Sequence, residues 1–126
     1  MIAAFLLSIG LSACTGAPST SLAPASADSL IRAQAKDPRF LLVDVRTPEE
    51  YAQGHLAGAR LVDFKSPDFS DKIGKLPRDG KILIYCRSGH RSGMALSRMK
   101  EMGFSDVRDV EGGIDAWTGK GLHVEK

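Results

Sequence analysis

The sequence predicts an α/β domain with a mostly parallel central sheet and helices on both faces of the sheet. Two nearly continuous apolar runs of strand length, Phe40–Val45 and Lys81–Tyr85, carry this prediction. Such runs are typical of strands that are covered on both faces, as in parallel sheets. Segments with helical spacing or helix-start signals alternate with the strand-like runs, and this alternation is typical of βαβ units.

The first two helices are predicted from their start signals. Apolar residues have helical spacing over Ser29–Ala35, and the preceding Asp28 suits the N-cap position. Thr47-Pro48-Glu49-Glu50 has the pattern of a capping box with proline at the first helical position. This pattern predicts a short helix from Pro48 to about Gln53, which Gly54 ends.

The remaining elements follow in alternating order. We expect a short strand over Arg60–Asp63, a helix from Ser66 to about Gly74, a strand over Lys81–Tyr85, a helix up to Met102, a strand over Ser105–Val110 and a last helix after Gly112-Gly113. The strands over Lys81–Tyr85 and Phe40–Val45 are the strongest signals.

The first 27 residues differ in composition from the rest of the chain. They contain no acidic or basic side chain, whereas all 17 Lys and Arg and all 15 Asp and Glu lie from Asp28 onward. The apolar stretch Ile2–Ala13 is shorter than the roughly 20 residues that span a bilayer. It is typical of the core of a signal peptide, although an apolar helix packed on the domain is the alternative. We therefore expect a signal peptide over residues 1–13, a linker over 14–27 and one domain over 28–126.

The residues Leu11-Ser12-Ala13-Cys14 resemble the lipobox of bacterial lipoproteins, in which the chain is cut before the cysteine and the cysteine is acylated. The absence of Lys or Arg after Met1 departs from that pattern. The Ser, Thr, Ala and Pro of residues 15–27 suit a flexible tether. The resemblance implies a lipoprotein of the bacterial cell envelope that faces the periplasm and is attached to a membrane through lipid on Cys14. Thr15 is not the aspartate that retains many lipoproteins at the inner membrane, which favours the outer membrane.

Composition limits the classes of function. The net charge is only +2 and no dense basic patch occurs, so we expect no nucleic-acid partner. One cysteine besides Cys14 and three scattered histidines give no metal-ligand spacing, so we expect no metal and no other cofactor. The sequence identifies no protein partner.

Residues 86–92, Cys-Arg-Ser-Gly-His-Arg-Ser, directly follow the strand over Lys81–Tyr85. In open parallel sheets, sites form beyond the carboxyl ends of the strands. If this loop wraps around the thiol, its backbone amides, the following helix and two arginines all favour the thiolate. The pKa of Cys86 should then fall below its ordinary value of about 8.5, which would give an activated nucleophile in a seat for an anion. Gly89 would permit a bend that a side chain would block.

The sequence around Cys86 leaves three other interpretations open. His90 could act as a base for Cys86, or it could point outward from a tight loop. A thioredoxin-type redox site would need a second cysteine at position 89, which is Gly89. A lone cysteine can also be a small buried apolar residue. The glycine and arginines around Cys86 argue against that last interpretation.

Three motifs in order resemble the rhodanese family of sulfurtransferases over roughly residues 28–126. They are Asp44-Val45-Arg46-Thr47-Pro48-Glu49-Glu50-Tyr51 with Gly54-His55-Leu56-Ala57-Gly58-Ala59, then Tyr85-Cys86-Arg87-Ser88-Gly89-His90-Arg91-Ser92, and finally Gly112-Gly113-Ile114-Asp115-Ala116-Trp117. The resemblance implies a single rhodanese-like domain with a small-molecule sulfur donor and a small-molecule acceptor.

The resemblance also implies roles for the loop. Cys86 would be the catalytic nucleophile, attack the outer sulfur of thiosulfate or a persulfide, and pass the bound sulfur to cyanide or a thiol. The substrate-binding residues would be Arg87, Ser88, Gly89, His90, Arg91 and Ser92. Asp44 and Arg46 would support the site, more by holding neighbouring segments than by touching the substrate.

Two alternatives remain within this fold. Cysteine phosphatases and arsenate reductases of similar build place an arginine six positions after the cysteine, which here is Ser92; Arg91 instead closes a six-residue loop. The shorter loop resembles that of sulfurtransferases. The second alternative is a binding module without chemistry, but such rhodanese domains often lack the cysteine that is present here.

Overall fold

The computed structural model describes residues 20–126, so the expected signal peptide and Cys14 lie outside the described residues. Within that range, five strands form one sheet in the order β1-β5-β4-β2-β3, and every pair is parallel. The strands are β1 (Ser21–Leu22), β2 (Phe40–Asp44), β3 (Arg60–Leu61), β4 (Lys81–Tyr85) and β5 (Asp106–Val110). The helices are α1 (Pro24–Gln34), α2 (Pro48–Gln53), α3 (Phe69–Gly74), α4 (His90–Glu101) and α5 (Gly113–Gly119).

The two faces of the sheet are covered by different helices. Side chains alternate along a strand, so Val43 and Ile84 pack with α3 and α4, whereas Leu42 and Leu83 pack with α1 and α5. Phe69 and Met99 are buried on the first face, and Ala27 and Trp117 on the second. The predicted α/β architecture with a parallel sheet and helices on both faces is confirmed.

The register of the two central strands brings two chain segments together at one edge. Asp44 of β2 lies opposite Tyr85 of β4, and the Val45 amide donates to the Tyr85 carbonyl over 3.0 Å. Both strands therefore end at the same level. Arg46 and Cys86, which follow these two ends, both lie at the carboxyl edge of the sheet, where sites form in this class of fold.

The prediction for residues 14–27 needs a correction. Ser21–Leu22 is a strand that pairs with Asp109 and Val110 of β5, and α1 begins at Pro24 rather than after Asp28. Ala27 is fully buried. A stretch without charged residues can still belong to a domain, because edge pairing uses the backbone and the first helix turn buries alanine. The folded domain therefore starts by residue 21, and residues 14–19 lie outside the described range.

The other elements agree with the predictions except at their ends. Thr47 accepts from the Glu50 amide over 3.3 Å and Glu50 accepts from the Thr47 amide over 3.4 Å, so the capping box of α2 is formed. Helix α3 begins at Phe69 rather than Ser66, because Ser66 accepts the Phe69 amide in a preceding turn. Within residues 20–126, no helix has the length and apolar character needed to cross a membrane.

Candidate active site

Cys86 lies at the carboxyl end of β4 and is buried beneath the loop that follows it. The Gly89 amide points at its Sγ over 3.1 Å, and the thiol donates to Ser92 Oγ over 3.5 Å. Helix α4 begins at His90, so the positive end of its dipole also faces this loop. The loop therefore turns backbone and hydroxyl groups toward one sulfur atom.

Two glycines allow this loop shape. Gly89 has a φ of 103°, a left-handed conformation that glycine adopts without strain. The first turn of α5 contacts the loop from outside: the Ile114 amide donates to the Cys86 carbonyl over 2.9 Å, and the Asp115 amide donates to the Arg87 carbonyl over 3.1 Å. Gly113 makes that approach possible. Because the two carbonyls point toward α5, the amides of the loop are free to turn toward the sulfur.

The hydrogen bonds in the loop change the acidity of the thiol. Burial raises the pKa of Cys86, but the hydrogen bonds that the sulfur makes with Ser92 and with the backbone amides of Gly89 and Ser88 more than offset burial. The pKa therefore lies below its ordinary value. Backbone donors that point at one sulfur stabilise negative charge there, by the physics of an oxyanion hole.

Arg91 does not present its guanidinium to the mouth of the loop. Its two terminal nitrogens donate to the two carboxylate oxygens of Glu50 in α2, over 2.7 and 2.8 Å. These bonds and the charge of Arg91 lower the pKa of Glu50 to about 2. The expected substrate contact of Arg91 is therefore replaced in this structure by a bidentate ion pair that ties α4 to α2. The charge of Arg91 still acts on Cys86 through space.

Arg87 is the loop arginine that faces solvent. Its side chain is 70% exposed, and its Nε lies 3.6 Å from Asp115 Oδ2. It borders an open polar cleft beside the loop. The cleft is lined by Arg46, Glu50, Gln53, Arg87, Ile114 and Asp115. A guanidinium that is this exposed and only loosely paired can turn toward an anion in the cleft.

The other predicted loop residues fall into two groups. Ser88 and His90 are exposed, and among the described residues no hydrogen bond joins His90 to Cys86. Ser92 is fully buried behind Cys86. Its expected contact with substrate therefore has to be corrected, because its side chain reaches the sulfur from the inside of the domain.

Asp44 and Arg46 form a buried ion pair beside the loop. Arg46 Nη2 lies 2.7 Å from Asp44 Oδ2, and it also donates to the Gly54 carbonyl over 2.6 Å. Both side chains are almost completely buried. The pair thus joins the end of β2 to the end of α2, and Arg46 reaches one wall of the cleft.

Sequence reasoning missed three residues of the site. The capping-box pattern predicts only a helix cap for Glu50, although Glu50 also accepts from Arg91. Gly113 lies in a sequence motif that by itself indicates no role for this residue. Asp109 of β5 is buried and accepts from Ser92 Oγ over 2.8 Å. Side chains alternate between the two faces along a strand, so Asp109 lies on the same face of β5 as buried Val107. This spacing is the sequence signal that could have predicted a buried carboxylate.

Curated relatives carry sulfurtransferase names. A "Sulfurtransferase" from Allochromatium vinosum is 36% identical over 77% of this chain and 89% of its own length. "Thiosulfate sulfurtransferase 16, chloroplastic" from Arabidopsis thaliana is 38% identical over 64% of this chain and 75% of its own length. "Probable adenylyltransferase/sulfurtransferase MoeZ" from Mycobacterium tuberculosis is 39% identical over 63% of this chain, but the chain spans only 20% of that protein.

Solved structures and a family match agree on the fold. A rhodanese-related protein from Thermoplasma volcanium has a TM-score of 0.69 at 28% identity, covering 83% of this chain and 96% of its own. A protein from Rhodopseudomonas palustris described as a possible tyrosine phosphatase has a TM-score of 0.66 at 28% identity, covering 83% of each chain. The Rhodanese-like domain family matches residues 26–120. With the cysteine loop described above, this match establishes that the chain belongs to the rhodanese-like domain family.

Proposed function

We propose that the domain is a sulfurtransferase that carries sulfane sulfur on Cys86, taking it from thiosulfate or a persulfide donor and passing it to cyanide or a thiol. The observation that carries the proposal is the Gly89 amide 3.1 Å from Cys86 Sγ, at the tip of β4. This donor belongs to a loop whose carbonyls are held away by α5. Such a loop favours a sulfur anion over the neutral thiol.

The chemistry would proceed in two displacements. The Cys86 thiolate attacks the outer sulfur of thiosulfate, the S–S bond of thiosulfate breaks, and sulfite leaves with the electron pair. The sulfur that remains on Cys86 is a persulfide, whose negative charge lies on the added sulfur near the loop amides. Cyanide or a thiolate then attacks this outer sulfur, and the bond to Sγ breaks to return the pair to Cys86. Amides fixed before the reaction lower the barrier of both steps.

The cleft supplies a route for the donor. Cys86 itself is buried, and we propose that an anion approaches it through the cleft beside Arg87. Arg87 is exposed and only loosely paired with Asp115, whereas Arg91 is held by Glu50. We therefore assign the contact with the thiosulfate oxygens to Arg87. Arg91 would contribute through its charge and by fixing the start of α4.

A phosphatase is the second candidate, because the similar R. palustris protein is described as a possible tyrosine phosphatase. The loop length favours sulfur transfer. Arg91 comes five positions after Cys86, and the position that would hold a phosphatase arginine is Ser92, which is buried and bonded to Asp109. Arg91 is also engaged by Glu50. A phosphate would therefore lack the arginine that phosphatases place across from the cysteine.

An assay with thiosulfate and cyanide tests the proposal. We expect the purified domain to form thiocyanate and to leave p-nitrophenyl phosphate intact. Cys86→Ser should abolish thiocyanate formation, whereas His90→Ala should retain it, because His90 is exposed and not bonded to the sulfur. Phosphate release without thiocyanate would contradict the proposal, as would normal turnover by the Cys86→Ser variant. A folded, inactive wild-type domain would favour a binding module.

The second part of the proposal concerns location. We propose that residues 1–13 direct export and that Cys14 is lipidated, which would anchor the domain at a membrane facing the periplasm, with the outer membrane favoured. The domain is folded from Ser21, and seven residues span at most about 25 Å. The site would then stay close to the membrane surface. Labelling of cells with an alkyne fatty acid should mark the full chain and its Cys86→Ser variant but not Cys14→Ser, and labelling of Cys14→Ser would contradict this part.

A further inference from the structure

A buried carboxylate lies behind the reactive sulfur. Asp109 in β5 is only 4% exposed, and its Oδ2 accepts the hydroxyl proton of Ser92 over 2.8 Å. Its Oδ1 accepts from Ser21 Oγ over 2.5 Å, on the edge strand that pairs with β5. Both carboxylate oxygens are thus held by hydroxyl groups. This carboxylate has no part in the two displacement steps described above.

Ser92 has only one hydroxyl proton and three acceptors around it. They are Asp109 Oδ2 at 2.8 Å, the Gly89 carbonyl at 3.2 Å and Cys86 Sγ at 3.5 Å. The shortest of these bonds joins the proton to a carboxylate, and charge-assisted bonds are about twice as strong as neutral ones. The proton therefore stays with Asp109. Ser92 then presents lone pairs to the sulfur, where they can accept from a thiol but cannot stabilise a thiolate.

We propose that Asp109 is a positioning residue that, through Ser92, opposes the negative charge that the loop amides favour on Cys86 Sγ, and so slows the release of sulfur bound to it. The consequence for sulfur transfer rests on the proposed function. In the persulfide, Sγ is neutral and the negative charge lies on the added sulfur. When an acceptor removes that sulfur, the Sγ–S bond breaks and a thiolate forms next to the Ser92 lone pairs. Asp109 therefore opposes the loss of sulfur from the Cys86 persulfide, whereas the loop amides favour formation of the persulfide.

The pH dependence of Cys86 alkylation by iodoacetamide tests this assignment without any sulfur transfer. In Asp109→Asn the carboxylate charge is gone and Ser92 is free to donate to the thiolate. We expect the pKa of Cys86 to fall by about one unit, because a hydrogen bond to the charged form favours that form. The matched control is Asp106→Asn in the same strand, where Asp106 pairs with Arg108 outside the site, and it should leave the pKa unchanged.

A double-mutant comparison shows whether the effect passes through Ser92. Ser92→Ala should raise the pKa of Cys86 in the Asp109→Asn background, because there the hydroxyl stabilises the thiolate. With Asp109 present, Ser92→Ala should not raise it. An equal shift in both backgrounds would overturn the proposal, as would an unchanged or raised pKa in Asp109→Asn. If circular dichroism shows that Asp109→Asn does not fold, the single Ser92→Ala variant tests the proposal instead. A rise of about one unit in the pKa of Cys86 in that variant would overturn the proposal.

Discharge of the persulfide gives an independent readout. Protein loaded with a persulfide donor is mixed with cyanide, and the loss of one sulfur from Cys86 is followed by mass spectrometry. A leaving thiol of lower pKa leaves faster, so Asp109→Asn should discharge roughly threefold faster than wild type and Asp106→Asn at the wild-type rate. Slower discharge would overturn the proposal. If wild type loads no sulfur at all, the proposed function fails, while the alkylation test of Asp109 still stands.

Discussion

Gly113→Ala probes the contact that shapes the active loop. Gly113 has a φ of 63°, and a Cβ added there would lie 2.4 Å from the Arg87 carbonyl oxygen and 2.5 Å from the Cys86 carbonyl oxygen. Both atoms belong to backbone and cannot swing away. The first turn of α5 would have to move by about 1 Å to restore an ordinary contact of about 3.5 Å. That shift breaks the bonds from the Ile114 and Asp115 amides to the loop.

The loss of stability in Gly113→Ala follows from these contacts. A left-handed non-glycine residue costs about 1–2 kcal/mol, and each lost backbone hydrogen bond costs about 1 kcal/mol. Gly113→Ala should therefore lower the free energy of unfolding by about 3–4 kcal/mol. Gly121→Ala is the matched control, because Gly121 has a φ of 72° but nothing within 4 Å of the added Cβ. It should cost about 1–2 kcal/mol.

Urea unfolding of both variants measures this difference, and thiocyanate formation by the folded fraction measures its effect on the loop. We expect Gly113→Ala to lose most of its activity while Gly121→Ala keeps the wild-type rate. Equal destabilisation by the two substitutions would refute the steric argument. A destabilised Gly113→Ala variant with normal turnover would refute the idea that α5 holds the loop amides in place.

Two further predictions concern the charged residues around the loop. Glu50 has a pKa lowered to about 2 from 4.5, so its pair with Arg91 stabilises the fold above pH 4.5 and this contribution is lost as pH falls toward 2. Urea titrations should show that Glu50→Gln lowers the free energy of unfolding by about 1–2 kcal/mol at pH 7 and that the difference from wild type vanishes near pH 2. Glu49→Gln, at an exposed position, should change the free energy of unfolding little. A loss of stability that does not depend on pH would count against a stabilising pair between Glu50 and Arg91. Steady-state kinetics should show that Arg87→Ala raises the KM for thiosulfate about tenfold with less change in kcat, as expected for a lost charge-assisted hydrogen bond. Arg87→Lys should bring the KM part of the way back to the wild-type value. An unaltered KM in Arg87→Ala would show that Arg87 does not bind the donor.

The central sheet could be predicted from the sequence because its signals are local. The strands Phe40–Asp44 and Lys81–Tyr85 are apolar runs, and the capping box before α2 is read from four consecutive residues. The two-residue strand Ser21–Leu22 could not be predicted, because it exists only through pairing with β5. Its composition is that of a linker, and the tertiary contact decides its structure.

The sequence predicts the features of the active site that depend on the loop residues alone, but not the contacts that other elements make with the loop. The position of Cys86 and the bend at Gly89 follow from the order of residues after a buried strand. The partners of Arg91 and Ser92 do not, because Glu50 is 41 residues and Asp109 is 17 residues away along the chain. Two positively charged side chains in one loop look alike in sequence, and only the fold separates the paired arginine from the open one.

The proposed sulfur transfer requires that Cys86 hold a sulfur atom as a persulfide that the loop amides stabilise. The most direct test is the intact mass of the domain after incubation with thiosulfate and removal of the excess. We predict a gain of one sulfur atom that maps to Cys86, disappears on addition of cyanide and is absent from Cys86→Ser. A folded domain whose Cys86 reacts with iodoacetamide but gains no sulfur from thiosulfate or from a persulfide donor would contradict the proposed function.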